Sequence, residues 1–308
     1  MSKIGKGTFL EIWIYFTLLA ATMQAVRTAG QKQLSGKLNS MATTGVRYFF
    51  ALPFAWAYLW WMLDFRQVVV PELNNDFLQY ALIACVMQIW GTACLVAAFR
   101  YRNFAVATSL AKTEAIQVAI VGALLFGATL SGLGWFSVIV GVVGVFLVSK
   151  VRFNLRDILA DSQGLIGMGY GLAAGLGLAI TTLLIRESSL ALNTDLMVSA
   201  AVTLVFMITV QSVISLIYVY IQDKSQLPLM MNHWRLCLFV GVTSVLGSIG
   251  WFTGASYQNA AYVKALGQVE FFITLALTYR VFKETITLKE YLGMFLIVLS
   301  VVILLLWS

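Results

Sequence analysis

The chain has 308 residues, of which 60% are hydrophobic and 11% are charged, with a mean hydropathy of +0.88 and a net charge of +7. Soluble domains are usually about 45–50% apolar and about 25% charged, so the composition excludes a soluble globular protein and predicts an integral membrane protein. The single histidine, His233, and three cysteines without metal-ligand spacing predict no metal or other cofactor. The positive charge is spread over loop ends, which favours contact with membrane lipids and not with nucleic acid.

Apolar segments follow one another along the chain, each close to the roughly 20 residues that a bilayer requires. The predicted spans are 10–31, 41–63, 78–99, 104–126, 132–150, 164–185, 196–221, 235–256, 261–282 and 288–307. The predicted fold class is therefore all-α integral membrane, with ten transmembrane helices. Little chain is left outside these spans, so the sequence offers no room for a soluble catalytic domain. The longest connections are 64–76, 151–163 and 222–234.

The sequence repeats itself with an offset of 156 residues, which pairs Asn103 with Asn259 and Glu114 with Glu270. We therefore predict two five-helix repeats, 1–150 and 164–308, joined by a linker at 151–163. An odd number of spans per repeat places the second copy upside down in the membrane. Such inverted repeats are typical of secondary transporters, whose substrate sites lie near the midplane where the halves meet.

Charged side chains interrupt the apolar spans, at a cost of about 2.5–3.5 kcal/mol each near the bilayer centre. They are Arg27, Arg47, Lys112, Glu114, Lys264 and Glu270. The two arginines and Lys264 have two open interpretations: they snorkel to a nearby interface, or they face the bundle interior. The other three lie too deep in their spans for snorkelling. A purely structural ion-pair lock and a substrate or proton site are both compatible with them.

Helix geometry limits how these charges can pair. Lys112 and Glu114 are two residues apart on one helix and so point to different faces. Repeat symmetry predicts that Lys112 reaches Glu270 on another helix, and that Lys264 or an arginine neutralises Glu114. If they face inward, Trp90, Trp251, Tyr257 and Gln88 would add stacking surfaces and hydrogen bonds to the same site.

The segment "AAYVKALGQVEFFITLALTYRVFKE", which ends at Glu284, resembles the EamA-type branch of the drug/metabolite transporter superfamily. The resemblance implies a cavity lined mainly by the third, fourth, eighth and ninth spans. Members often carry proline after the mid-helix glutamate, where this chain has Ala115 and Phe271. We therefore expect straighter helices here. The positive-inside rule favours termini outside the cytoplasm, against the family expectation, so the sequence leaves the orientation open.

These observations predict a secondary active transporter, not an enzyme, in a bacterial cytoplasmic membrane. Its partners would be a small polar metabolite, such as an amino acid or another charged or zwitterionic solute, and membrane lipids, with protons as a candidate coupling ion. A membrane enzyme or flippase acting on a lipid-linked substrate, and a non-transporting scaffold, are the alternatives. The sequence leaves import or efflux open, and equally monomer or homodimer.

Overall fold

The computed structural model describes residues 11–98, 110–148, 162–273 and 288–307, and every regular element in these ranges is helical. In chain order the helices are α1 (Ile12–Leu34), α2 (Ser40–Phe49), α3 (Leu52–Arg66), α4 (Asn75–Ala98), α5 (Glu114–Leu125), α6 (Gly132–Val148), α7 (Ser162–Ala191), α8 (Leu196–Gln222), α9 (Gln226–Asn232), α10 (Trp234–Tyr257), α11 (Ala260–Gly267) and α12 (Leu288–Trp307). By length and apolar composition, α4, α7, α8 and α10 can each cross a membrane.

Where the structure describes them, most predicted spans coincide with helices to within a few residues. The predicted span 235–256 becomes Trp234–Tyr257, and 78–99 becomes Asn75–Ala98. The largest difference is α7, which continues to Ala191 where the prediction ended at residue 185. Three predicted features lie at least partly outside the described residues: the start of span 104–126, nearly all of the linker 151–163, and the end of span 261–282. Glu284 also lies outside them.

The second predicted span, 41–63, is two helices and not one. The α2 helix ends at Phe49 and α3 begins at Leu52, with Pro53 in its first turn. Proline has no N–H and clashes with the preceding turn of a continuous helix, but it is well tolerated at a helix start. The break therefore follows from Pro53, which the prediction from hydropathy alone did not take into account. The predicted connection 222–234 also contains a short helix, α9.

Four long helices pack in two equivalent pairs, α1 against α10 and α4 against α7. Glycines bring the backbones together in both pairs. A Cβ atom on Gly91 of α4 would lie 3.2 Å from Ala174 O of α7, and one on Gly250 of α10 would lie 2.4 Å from Phe16 O of α1. Small residues allow such close approach between membrane helices. Equivalent packing of this kind is what two related halves would give.

The α6 and α12 helices form a third close pair. Ser137 Oγ donates to Ser300 O and Ser300 Oγ donates to Ser137 O, both at 2.8 Å. Both serines are fully buried. The reciprocal bonds satisfy two hydroxyl groups where water is absent, which holds these helices in a fixed register.

Candidate functional site

The two repeat-related glutamates each begin a helical segment in the middle of an apolar stretch. Glu114 is the first residue of α5 and follows a turn at residues 112–113. Glu270 begins the helical residues 270–273, after a turn at residues 268–269. The turns are therefore at equivalent positions of the two repeats.

Short-range backbone hydrogen bonds form both turns. Thr113 N–H donates to Leu110 O at 3.0 Å, and Gln268 N–H donates to Ala265 O at 3.2 Å. Bonds that span three residues tighten the chain into 3₁₀ geometry, which interrupts an α-helix without proline. Both segments are therefore interrupted although proline is missing, and the expectation that they are straighter than in other members stays a prediction.

The interruptions help to explain how carboxylates are accommodated in an apolar environment. The first N–H groups of a helix have no partner within the helix, and the helix dipole places partial positive charge there. Glu114 lies in the first turn of α5, where a negative charge is favoured. Discontinuous membrane helices that present their ends to a central site are a recurring feature of secondary transporters.

The carboxylates are paired across the two repeats. Lys264 Nζ lies 2.7 Å from Glu114 Oε1, and Lys112 Nζ forms an ion pair with Glu270 Oε2. The exposed fractions of the Glu114 and Glu270 side chains are 10% and 8%. The predicted contact between Lys112 and Glu270 is thus confirmed. The predicted pairing of Glu114 with Lys264 is confirmed as well.

Gln24 and Trp251 connect the two ion pairs. Gln24 Nε2 donates to Glu270 Oε2 at 2.9 Å, and Trp251 Nε1 donates to Gln24 Oε1 at 2.9 Å. The Lys264 ammonium lies 4.0 Å from the centroid of the Trp251 ring, a geometry in which a cation is attracted to the ring face. Direct contacts therefore link Glu270 to Lys264, which is the partner of Glu114.

Two arginines lie deep in the bundle. The exposed fractions of Arg27 and Arg47 are 6% and 5%. Arg27 Nη2 donates to Gln24 Oε1 at 3.3 Å, and Arg47 Nη1 donates to Thr92 Oγ1 at 2.9 Å. Within the described part of the chain, no carboxylate lies within salt-bridge distance of either guanidinium, and both Nε atoms are buried without a hydrogen-bond partner.

One cavity is lined by the ion-paired side chains and by both arginines. Its volume is about 80 Å³, counted for the centres of water-sized spheres, whereas about 10–15 Å³ on this measure holds one water. It therefore has room for several waters or for part of a small solute. Arg27, Arg47, Lys112 and Lys264 oppose Glu114 and Glu270, so the charged side chains that line it carry a formal net charge of +2.

The walls of the cavity are equivalent in position but not in polarity. The α1 helix contributes Gln24, Arg27, Thr28 and Gln31, and α7 contributes Leu178, Thr181, Thr182 and Ile185. The second set repeats the first with a constant offset of 154 residues, and its spacing places each set on one helix face. On α4 and α10, Thr92 and Ser248 are equivalent at the offset of 156 residues found in the sequence. The first half therefore supplies most of the charge.

A family model, described as the EamA-like transporter family, matches residues 11–150 and again residues 165–306. The chain belongs to the EamA-like transporter family. It is therefore a multi-pass integral membrane protein of the drug/metabolite transporter type, and the resemblance predicted from the sequence is confirmed.

Among solved structures, 29 chains match this EamA-like transporter. One of them, described only as the crystal structure of a protein, superimposes with a TM-score of 0.71 over 96% of each chain, at 12% sequence identity. At that identity the likeness shows a common fold and nothing about the solute. No curated protein matches the chain.

Six of the eight side chains predicted to form the site line the cavity of the EamA-like transporter. They are Glu114, Glu270, Lys112, Lys264, Trp251 and Gln88. Trp90 and Tyr257 do not line it. Trp90 is 43% exposed on the outer side of α4, because it lies two residues from Gln88 and so about 200° around the helix. Tyr257 is the last residue of α10 and lies beyond the cavity.

Sequence reasoning did not predict α7 as a wall of the cavity, and it left the contribution of α1 and α2 open, because Arg27 and Arg47 could also snorkel. The resemblance implied walls from the third, fourth, eighth and ninth spans, but Gln24, Arg27 and Gln31 of α1 and Arg47 of α2 also line it. Snorkelling was left open for the arginines, and burial in the bundle excludes it. The available signal was the polar spacing of Gln24, Arg27, Thr28 and Gln31 on one face of an apolar helix.

Proposed function

We propose that this EamA-like transporter is a secondary active carrier, which moves a small polar solute through the central cavity by alternating access. The solute would be charged or zwitterionic, such as an amino acid, and the membrane a bacterial cytoplasmic membrane. The observation that carries the proposal is the convergence of six charged side chains from both repeats on one buried cavity. Side chains of this kind are costly in a membrane and usually mark solute or ion pathways.

In this mechanism the two repeats, 1–150 and 164–308, move against one another. The cross-repeat ion pairs, Lys112–Glu270 and Lys264–Glu114, hold them together in the closed arrangement. A solute that competes for these lysines and glutamates would weaken the contact between the repeats. Binding would thereby favour a change of conformation, as differential affinity for two states requires.

Proton coupling would follow from the same contacts. Protonation of Glu270 would remove its charge and release Lys112 and Gln24, which both contact its Oε2 atom. The lysine would then be available to the solute. Deprotonation on the other side of the membrane would restore the ion pair and expel the solute, so that proton movement would drive transport.

The test is uptake of a panel of labelled metabolites into proteoliposomes, together with the thermal shift that each metabolite causes in the purified protein. We expect at least one metabolite to stabilise the protein and to be transported, and we expect Glu114→Gln and Glu270→Gln to abolish both effects. Glu72→Gln, in an exposed connection outside the cavity, is the matched control. Binding and uptake that survive both cavity variants would show that the glutamates are only a structural lock.

A pH gradient imposed across the same liposomes tests the coupling separately. A gradient with the more acidic side outside the liposomes should accelerate or drive uptake by the wild-type protein. Uptake that is equal with and without the gradient would reject proton coupling, and it would leave the carrier proposal intact.

A further inference from the structure

The two lysines and two arginines of the cavity differ in whether a carboxylate neutralises them. Both glutamates are occupied by lysines, Glu114 by Lys264 and Glu270 by Lys112. Within the described residues this leaves Arg27 and Arg47 without a carboxylate partner. Removing a charge from water costs several kcal/mol per ion unless an opposite charge and hydrogen bonds replace the hydration. A cavity with two such cations is therefore adapted to a negatively charged occupant.

The free donors of the arginines support the same conclusion. Among the described residues, each guanidinium makes one side-chain hydrogen bond through a terminal nitrogen, to Gln24 for Arg27 and to Thr92 for Arg47. The Nε atoms of both are buried, and no acceptor contacts them in the part of the chain that the structure describes. The planar edge formed by Nε and a terminal nitrogen matches two oxygens of a carboxylate or phosphate. Both arginines are also more than nine-tenths buried.

The second repeat shows that the architecture does not require a cation at this position. Thr181 of α7 occupies the position equivalent to Arg27 of α1 in the wall of the cavity. It satisfies its own hydroxyl group by donating to Gly177 O at 2.7 Å. The α7 helix thus packs in the equivalent place without a charged residue, so the arginine is better explained by a ligand than by the fold.

We infer that the solute carries an acid group, a carboxylate or a phosphate, which Arg27 and Arg47 bind together in the cavity. The inference rests on the proposed carrier function and specifies its substrate class as organic anions. One acid group would neutralise part of the charge of +2 that the side chains leave. The rest of the solute would contact the face of Trp251 and the side chain of Phe252, which line the same cavity.

The experiment compares matched solutes that differ in the acid group. The purified protein is titrated with succinate and succinamide, and with glycerol 3-phosphate and glycerol, with thermal stability as the readout. The measurement is made in detergent, with and without added anionic lipid. This comparison distinguishes binding of a free solute from binding of a lipid headgroup. We expect stabilisation by at least one acid of the panel and none by its neutral counterpart.

The variants locate the binding. Arg27→Gln and Arg47→Gln should each weaken binding of the acid by at least about tenfold, the effect of losing about 1.4 kcal/mol. Arg235→Gln makes the same change at an exposed position in the first turn of α10 and should have no effect. If either glutamine variant fails to fold, Arg27→Lys or Arg47→Lys keeps the charge but loses the two-pronged contact, and it should still weaken binding.

Two results would overturn the inference, with different consequences. If neutral or cationic solutes bind and are transported, and the arginine variants keep that activity, the acid-group inference fails and the carrier stands. If no metabolite is bound or transported by the wild-type protein, both proposals fail. Stabilisation by anionic lipid alone would also overturn the inference, since it would assign the arginines to a lipid and not to a solute.

Discussion

Lys264 Nζ lies 2.7 Å from Glu114 Oε1, and this ion pair joins the two repeats inside the bundle. Neither group has easy access to water, with exposed fractions of 11% and 10%. Removal of one member of a buried pair leaves an uncompensated charge and typically costs about 3–5 kcal/mol, whereas replacement of both members by apolar residues costs much less. Single and double variants of this pair can therefore separate the energy of the ion pair from the cost of burying each charge alone.

We expect Lys264→Met and Glu114→Gln to lower the melting temperature of the detergent-solubilised protein substantially. The double variant Lys264→Met/Glu114→Gln should lose less stability than the sum of the single variants, because it leaves neither charge unpaired. The measurement is a double-mutant cycle by thermal unfolding. Additive losses would mean that the two side chains do not interact in the folded protein.

The close contact between α1 and α10 gives a second prediction. A Cβ atom on Gly250 would lie 2.4 Å from Phe16 O and 2.8 Å from Ala20 N, so the backbones would have to separate. Gly250→Ala should therefore lower the melting temperature. Gly169→Ala is the control, because a Cβ atom there meets nothing within 4 Å and alanine favours a helix interior by about 0.5–1 kcal/mol. Equal effects of the two substitutions would contradict the packing described here.

The glutamates and their partners were accessible to sequence reasoning for a physical reason. Glu114 and Glu270 recur at one offset in apolar segments, and a charge in such a place needs a partner on another helix. Because Lys112 cannot reach Glu114 on its own helix, symmetry left Glu270 as its partner. The argument depended only on the internal repeat, on helix periodicity and on the cost of burial.

Other features of the cavity depend on information that the sequence does not contain. Arg27 and Arg47 lie close enough to predicted span ends that snorkelling could not be separated from burial without knowing how α1 and α2 are rotated. Trp90 and Gln88 lie about 200° apart on α4, so only one of them can face the cavity, and the sequence alone does not show which one. The turns before the glutamates were missed because neither contains proline and the first contains no glycine.

The connection after α8 gives a prediction of pH dependence. Asp223 accepts hydrogen bonds from Ser225 Oγ at 2.5 Å and from Gln226 Nε2 at 2.7 Å. These bonds, that of Ser225 first, favour the ionised form and lower the pKa of Asp223 below its ordinary value of 3.8. A lowered pKa contributes stability that is present above the ordinary value and is lost as the pH falls through the lowered pKa.

Asp223→Asn should therefore be slightly less stable than the wild-type protein at neutral pH. The difference in melting temperature should shrink as the pH falls below about 4, where the wild-type carboxylate also becomes protonated. The effect should be small because the group is exposed. A difference that stays constant from neutral to acidic pH would show that the charge of Asp223 is not involved.

The end of α10 gives the last prediction. Arg186 Nη1 donates to Ala255 O at 2.7 Å and to Gln258 O at 2.6 Å. The last carbonyl groups of a helix have no partner within it, so Arg186 of α7 satisfies groups that would otherwise be buried without a donor. Arg186→Gln should lower the free energy of unfolding by about 1–3 kcal/mol, the usual cost of an unsatisfied buried polar group. The control is Arg235→Gln, which changes an exposed arginine in the first turn of α10. Thermal unfolding of the two variants measures this cost. Equal melting temperatures for the two variants would mean that water or another donor replaces Arg186.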